Sequence, residues 1–169
     1  MTTTAAQGQL RVDGDRRAVR FERRYEATPA EVWSALTEPE RLARWLADAE
    51  LDLSVGGQYV LRFAPDDESQ ITRGEVLSVE TERVLELSWL YPGENDTVVR
   101  FELHPDGDGT ILVLDHRGLP VEAAPGYGGG WHAHLDSLEA HLASGDEPDW
   151  FVRFKELTPL YEAQEAALR

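Results

Sequence analysis

GYGGGWHAHLDSLEAHLAS, residues 126–144, sets a run of glycines against a tryptophan and places three histidines in the ten residues that follow. Trp131, Leu135, Leu138 and Leu142 recur at i, i+4, i+7 and i+11, a narrow apolar stripe along an α-helix over residues 131–143. Upstream, residues 120–130 are rich in Gly, Ala and Pro and read as a loop, with Gly128, Gly129 and Gly130 allowing a tight, flexible approach to the helix. Downstream, Gly145-Asp146-Glu147-Pro148 stops it. A helix with one apolar stripe needs an apolar surface to lie on, and the rest of the chain supplies one.

That surface reads as antiparallel sheet. Val19, Phe21, Arg23 and Tyr25 alternate with polar neighbours, Arg23 being the odd member of the apolar parity. Leu51, Leu53 and Val55, then Gly56-Gly57, then Tyr59, Leu61 and Phe63 predict a hairpin. Further strands are predicted over residues 71–80, 84–91, 97–104 and 110–117, separated by Thr81-Glu82, by Pro92-Gly93-Glu94-Asn95 and by the turn at 105–109. None of these pairs is separated by a helix-length crossover, so the sheet is antiparallel. Between the first strand and the hairpin, Thr28-Pro29-Ala30-Glu31 forms a capping box, and Thr37-Glu38-Pro39-Glu40 repeats the device, predicting two short helices. The order predicts an α+β fold in which six to seven strands curve around the long helix and leave a cavity where the two layers part. Residues 1–17 read as a flexible arm or a weak first strand, 18–145 as the domain, and 146–169 as a helical extension packed on it and broken at Pro159.

Composition narrows the function. The chain of 169 residues suits one domain, and with no cysteine it has neither disulfides nor thiolate chemistry. A formal charge of −16, from 32 acidic against 16 basic residues, repels phosphate backbones and anionic membranes, so neither nucleic acid nor a membrane is an expected partner. The longest aliphatic run, Ile111-Leu112-Val113-Leu114, is far short of a membrane span, and without a basic-then-apolar leader the expectation is a cytoplasmic protein. There is no Gly-x-Ser-x-Gly elbow and no phosphate-binding Gly-Lys-Ser/Thr loop, and the only lysine, Lys155, lies in the tail. No cofactor is expected.

The segments FERRYEATPAEVWSALTEPERLARWLA (21–47), VGGQYVLRF (55–63), GEVLSVETERVLELSW (74–89), GTILVLDHRGL (109–119) and GGWHAHLDSLEAHL (129–142) together resemble the activator of heat-shock-protein-90 ATPase-like family. That family lies within the START-like, or polyketide cyclase and lipid-transport, superfamily. The resemblance covers residues 18–145 and implies the helix-grip fold and a ligand cavity between sheet and long helix, without implying a particular ligand.

The histidines are then weighed as sites. His134 and His141 border the apolar stripe but stand two turns apart, about 10 Å along the axis, too far to share a metal. No metal site is expected. His132 and Asp136 lie away from the stripe and read as a solvated i,i+4 pair. In Asp115-His116-Arg117, strand alternation turns His116 to the opposite face from its neighbours, so an Asp-His dyad is poor. The expected ligand-contacting residues are Trp131, His134, Leu138 and His141 on the helix, with Tyr59, Phe63, Trp89, Tyr91, Phe101 and His116 on the strands. The sequence-level reading is a non-enzymatic protein that binds a hydrophobic, aromatic or polyketide-like small molecule, with a role in secondary-metabolite resistance. Two alternatives stay open. One is a cyclase or aromatase using His134, His141 or His116 as general acid/base, and the other, carried by the family resemblance alone, is a chaperone-associated protein.

Overall fold

The structure, a computed structural model, describes residues 7–64, 66–90 and 96–169. Eight strands form one antiparallel sheet: β1 (Gln9–Asp13), β2 (Arg16–Tyr25), β3 (Asp48–Leu51), β4 (Gln58–Arg62), β5 (Ile71–Glu80), β6 (Val84–Trp89), β7 (Thr97–Asp106) and β8 (Gly109–Leu119). Their spatial order is β1-β2-β8-β7-β6-β5-β4-β3. Register shifts between Arg17 and Val19 and between Val76 and Ser78 mark β-bulges, which strengthen local twist. The alternation read from sequence is the alternation of burial: Val19, Phe21 and Tyr25 on β2, Leu85, Leu87 and Trp89 on β6, Val99, Phe101 and Leu103 on β7, and Leu112 and Leu114 on β8 are all buried.

Four helices complete the fold: α1 (Pro29–Thr37), α2 (Pro39–Trp45), α3 (Ala124–Leu142) and α4 (Trp150–Leu168). The hydroxyl of Thr28 accepts from the Glu31 amide at 3.2 Å and Pro29 and Pro39 stand in the first turns of α1 and α2 as expected, but the second capping device does not form: Glu38 caps α2 without a side-chain hydrogen bond, and the Thr37 hydroxyl donates back to the Trp33 carbonyl at 2.8 Å. Trp131, Leu135 and Leu138 of α3 are buried against the sheet, and the Tyr25 phenol donates to the Leu135 carbonyl at 3.1 Å.

Several expectations are corrected. Of the two readings of the N-terminal segment, flexible arm or weak first strand, the second holds for residues 9–13, which form β1 and bring the sheet to eight strands. Its outer edge is held from the far end of the chain, where Gln164 accepts from the Leu10 amide at 2.8 Å and donates to the Gly8 carbonyl at 3.0 Å. β3 ends at Leu51, leaving Leu53 and Val55 exposed in a loop stabilised by the Asp52 amide donating to the Gln58 carbonyl. α3 begins at Ala124, so the glycine run lies inside the helix. A Cβ on Gly128 would lie 2.5 Å from the Tyr161 ring, and one on Gly129 would lie 2.4 Å from the Thr158 hydroxyl. The glycines therefore let α4 approach α3 closely, and helix flexibility is not their use. Finally, α4 runs unbroken through Pro159 because Leu157, Tyr161 and Glu165, spaced at i, i+4 and i+8, are buried on both sides of it. The Thr158 hydroxyl also donates to the Phe154 carbonyl at 2.7 Å.

Candidate functional site

α3, the sheet and the start of α4 enclose an open cavity of about 960 Å³. From α3 come Tyr127, Trp131, His134 and Ser137, from the sheet side Phe63 and Trp89, and from α4 Trp150, Phe151 and Phe154. The aromatic rings touch in sequence. Trp150 stacks on Phe154 with centroids 4.9 Å apart and planes 12° apart, lies 5.0 Å from His134, and His134 in turn lies 6.1 Å from Trp131. Such walls suit an apolar ligand, and the volume is at the upper end of small-molecule sites. Arg44, Asp67, Glu122 and Glu147 also line the cavity, and all four are exposed.

His134 carries the best-defined polar group facing this space. Its Nδ1 lies 3.2 Å from the Trp45 carbonyl, which can only accept, so Nδ1 holds the proton. Nε2 is left as an acceptor, with no hydrogen-bond partner among the described residues. Burial pushes the imidazole down to about 4, only partly opposed by the Trp45 carbonyl. His134 is therefore neutral near pH 7.

His116 lies behind the cavity wall in a closed chain of hydrogen bonds. The Trp131 indole N–H donates to Nδ1 at 2.9 Å, Nε2 lies 2.7 Å from the Thr97 hydroxyl, and that hydroxyl donates to the Trp89 carbonyl at 3.0 Å. Only one proton arrangement satisfies all four groups: Nε2 protonated, Nδ1 accepting, the imidazole neutral. Burial alone pushes it down to about 3. The chain fixes Trp131 and Trp89 relative to each other, and it leaves His116 no lone pair for acid/base work. The buried Trp89 indole N–H has no hydrogen-bond partner among the described residues.

The residues singled out from sequence thus divide. Trp131, His134, Phe63 and Trp89 meet at the cavity. Tyr59 and Phe101 lie deeper, with Trp89, around a separate void of about 20 Å³, room for little more than a water molecule. Leu138 is fully buried in the core, and Tyr91 lies outside the described residues. His141 sits where α2 meets α3: Arg41 donates to its Nε2 at 3.1 Å, and burial followed by the Arg41 charge holds it below its usual value.

His132 is corrected outright, since it is buried rather than solvated. Its Nδ1 lies 2.8 Å from the Tyr161 hydroxyl, which also accepts from the Gly8 amide at 2.9 Å. Burial, aided by the nearby Arg23 charge, pushes His132 down to about 4. Asp136 is paired with Arg23 at 2.7 Å and with Arg153 at 2.8 Å, which explains the arginine on the apolar parity of β2: it crosses to α3. The residues missed from sequence are Tyr127, Ser137 and the α4 aromatics. Trp150, Phe151 and Phe154, spaced like one helix face, were a readable signal for the last group.

An α+β protein whose long helix is gripped by an antiparallel sheet, with a cavity between them, defines the helix-grip class. The chain belongs to the activator of Hsp90 ATPase homolog 1-like family, whose model matches residues 26–143. It is 30% identical to CalU16 from Micromonospora echinospora over 94% of this chain and 96% of that one, with a TM-score of 0.76 in the crystal structure. The product of gene BPP1335 from Bordetella parapertussis is 31% identical over 96% and 94% of the two chains, with a TM-score of 0.70. DynU16, a protein of the dynemicin biosynthetic locus, is 25% identical over 80% of this chain and 49% of its own, with a TM-score of 0.69. No curated protein matches the chain. Among the described residues no helix is long and apolar enough to cross a membrane.

Proposed function

We propose that the protein binds a hydrophobic, aromatic or polyketide-like small molecule in the cavity between α3, the sheet and α4, and that it holds the molecule without turning it over. The observation that carries this reading is the cavity: about 960 Å³ walled by stacked aromatic rings, with the one histidine that faces it held neutral. A base at about 4 is weak at pH 7 and has no proton to give from Nε2, which speaks for binding over cyclase chemistry. Similarity to DynU16, from the dynemicin biosynthetic locus, supports a biosynthetic small molecule as the ligand.

Titrating a panel of polycyclic and polyketide-like compounds tests this, since Trp45, Trp89, Trp131 and Trp150 all line the cavity and report on it by fluorescence. A binder should quench that emission, shift the amide resonances of α3 and α4, and be recovered chemically unchanged. Saturation without those shifts, absence of any binder, or conversion of the bound compound overturns the reading.

A further inference from the structure

We propose that the cavity selects an un-ionised fused-ring aromatic molecule bearing a hydroxyl group, and that His134 Nε2 accepts the hydrogen bond from that hydroxyl. The inference rests on the binding reading above and narrows its ligand.

Three observations converge on it. The first is polarity. The Trp45 carbonyl 3.2 Å from Nδ1 fixes which nitrogen is protonated, so the other ring nitrogen of this cavity-lining residue carries a lone pair. An O–H complements it, whereas a ligand carbonyl or ether oxygen would set lone pair against lone pair. Burial keeps the ring neutral, so the acceptor persists across the physiological range. The second is shape. Trp150 and Phe154 stack with nearly parallel planes, His134 is tilted only 31° to Trp150, and Trp131 meets His134 at 66°, closing one side. A flat slab fits such walls better than a flexible chain. The third is charge. Three exposed carboxylates, Asp67, Glu122 and Glu147, line the cavity against one arginine, Arg44, on a chain of formal charge −16. A phenolate or carboxylate would meet that field and the His134 lone pair together. Ser137, one turn beyond His134 on the same wall, adds a second hydroxyl that gives or accepts.

The test compares 1-hydroxypyrene, 1-methoxypyrene and 1-pyrenecarboxylate, titrated against the full chain at pH 7 by fluorescence. One matched hydrogen bond predicts about tenfold tighter binding of the hydroxyl than of the methoxy compound, with the carboxylate weakest. In His134→Asn the amide can still donate to the Trp45 carbonyl while the Nε2 acceptor is gone, and the hydroxyl-to-methoxy ratio should fall to about one. In His134→Gln an amide oxygen reaches the Nε2 position and the ratio should survive. The ratio is read within each variant, so a general loss of affinity or stability does not imitate the effect. If the Asn variant fails to fold, the wild-type ratio together with His134→Gln decides. A wild-type ratio of one or less, a preference that persists in His134→Asn, or tightest binding of the carboxylate overturns the inference. If the wider panel binds and the pyrenes do not, the ligand class is wrong while the cavity reading stands. If nothing in either set binds, both fall.

Discussion

At the scale of single residues, His116 shows how the surroundings of a histidine settle its role. Its two ring nitrogens are both committed, one to the Trp131 indole and one to the Thr97 hydroxyl. Replacing Thr97 with valine keeps the shape and removes the acceptor. The imidazole cannot escape by moving its proton, since Nδ1–H would then confront the Trp131 N–H. Thr97→Val should therefore cost about 1–3 kcal/mol of stability, measured by urea unfolding, and an unchanged midpoint would count against the closed chain. Strand alternation set His116 on the opposite face from Asp115 and Arg117, but it did not say which of the two faces is buried. Its partners come from β7 and α3, far apart in sequence, and no local pattern announces them.

At the scale of elements, the glycines of α3 do two different things two residues apart. Nothing lies within 4 Å of a Cβ built on Gly126, whereas one on Gly128 would strike the Tyr161 ring. Gly126→Ala should leave stability unchanged or raise it by about 0.5–1 kcal/mol through helix propensity. Gly128→Ala should lower it by about 1–3 kcal/mol through overpacking. Thermal unfolding of the pair separates the effects, and equal shifts in both variants would refute the close α3–α4 contact. The same contact explains what the sequence concealed. Six of the eight strands and the two short helices were readable within a few residues, from alternation, from the Thr28 cap of α1 and from the prolines in the first turn of each helix. The first turns of α3 were not, because glycine disfavours a helix locally and only packing against α4 reverses that preference. His132 was misread for a related reason: a single apolar stripe identifies the face on the sheet, while the face under α4 is polar and is buried by hydrogen bonds to Tyr161 and by Asp136 pairing with two arginines.

At the scale of the whole molecule, three imidazoles, the buried His116 and His132 and the half-buried His134, are held at about 3, 4 and 4. In the unfolded chain each returns to its ordinary value of about 6.5. The unfolded state therefore binds more protons between those values, so stability is complete above pH 6.5 and is lost as pH falls below it. With about 1.4 kcal/mol per pH unit for each ring, the loss between pH 6 and pH 5 should be roughly 3–4 kcal/mol. Asp136 and Glu165, both held below the usual carboxylate range, add to the loss only at lower pH. Asp136 is held there by Arg153 and Arg23 against the cost of its burial, and Glu165 chiefly by Arg17. Denaturant titrations at pH 7.5, 6.5, 5.5 and 5.0 check the slope, and a flat profile would show that these rings titrate normally.

One consequence of the last helix concerns inheritance. The family match stops at residue 143, yet Trp150, Phe151 and Phe154, a whole wall of the cavity, follow it. The helix that carries them is also anchored away from the cavity, by Gln164 to β1 and by the bidentate Arg17–Glu165 pair, so its far end stays in place when Trp150, Phe151 or Phe154 is replaced and Arg153 is kept on Asp136. In this chain the cavity wall can thus be altered at a few aromatic positions outside the segment that the family model matches. Ligand preference in this protein should be transplantable by exchanging those positions, while the gripped helix and sheet stay as they are.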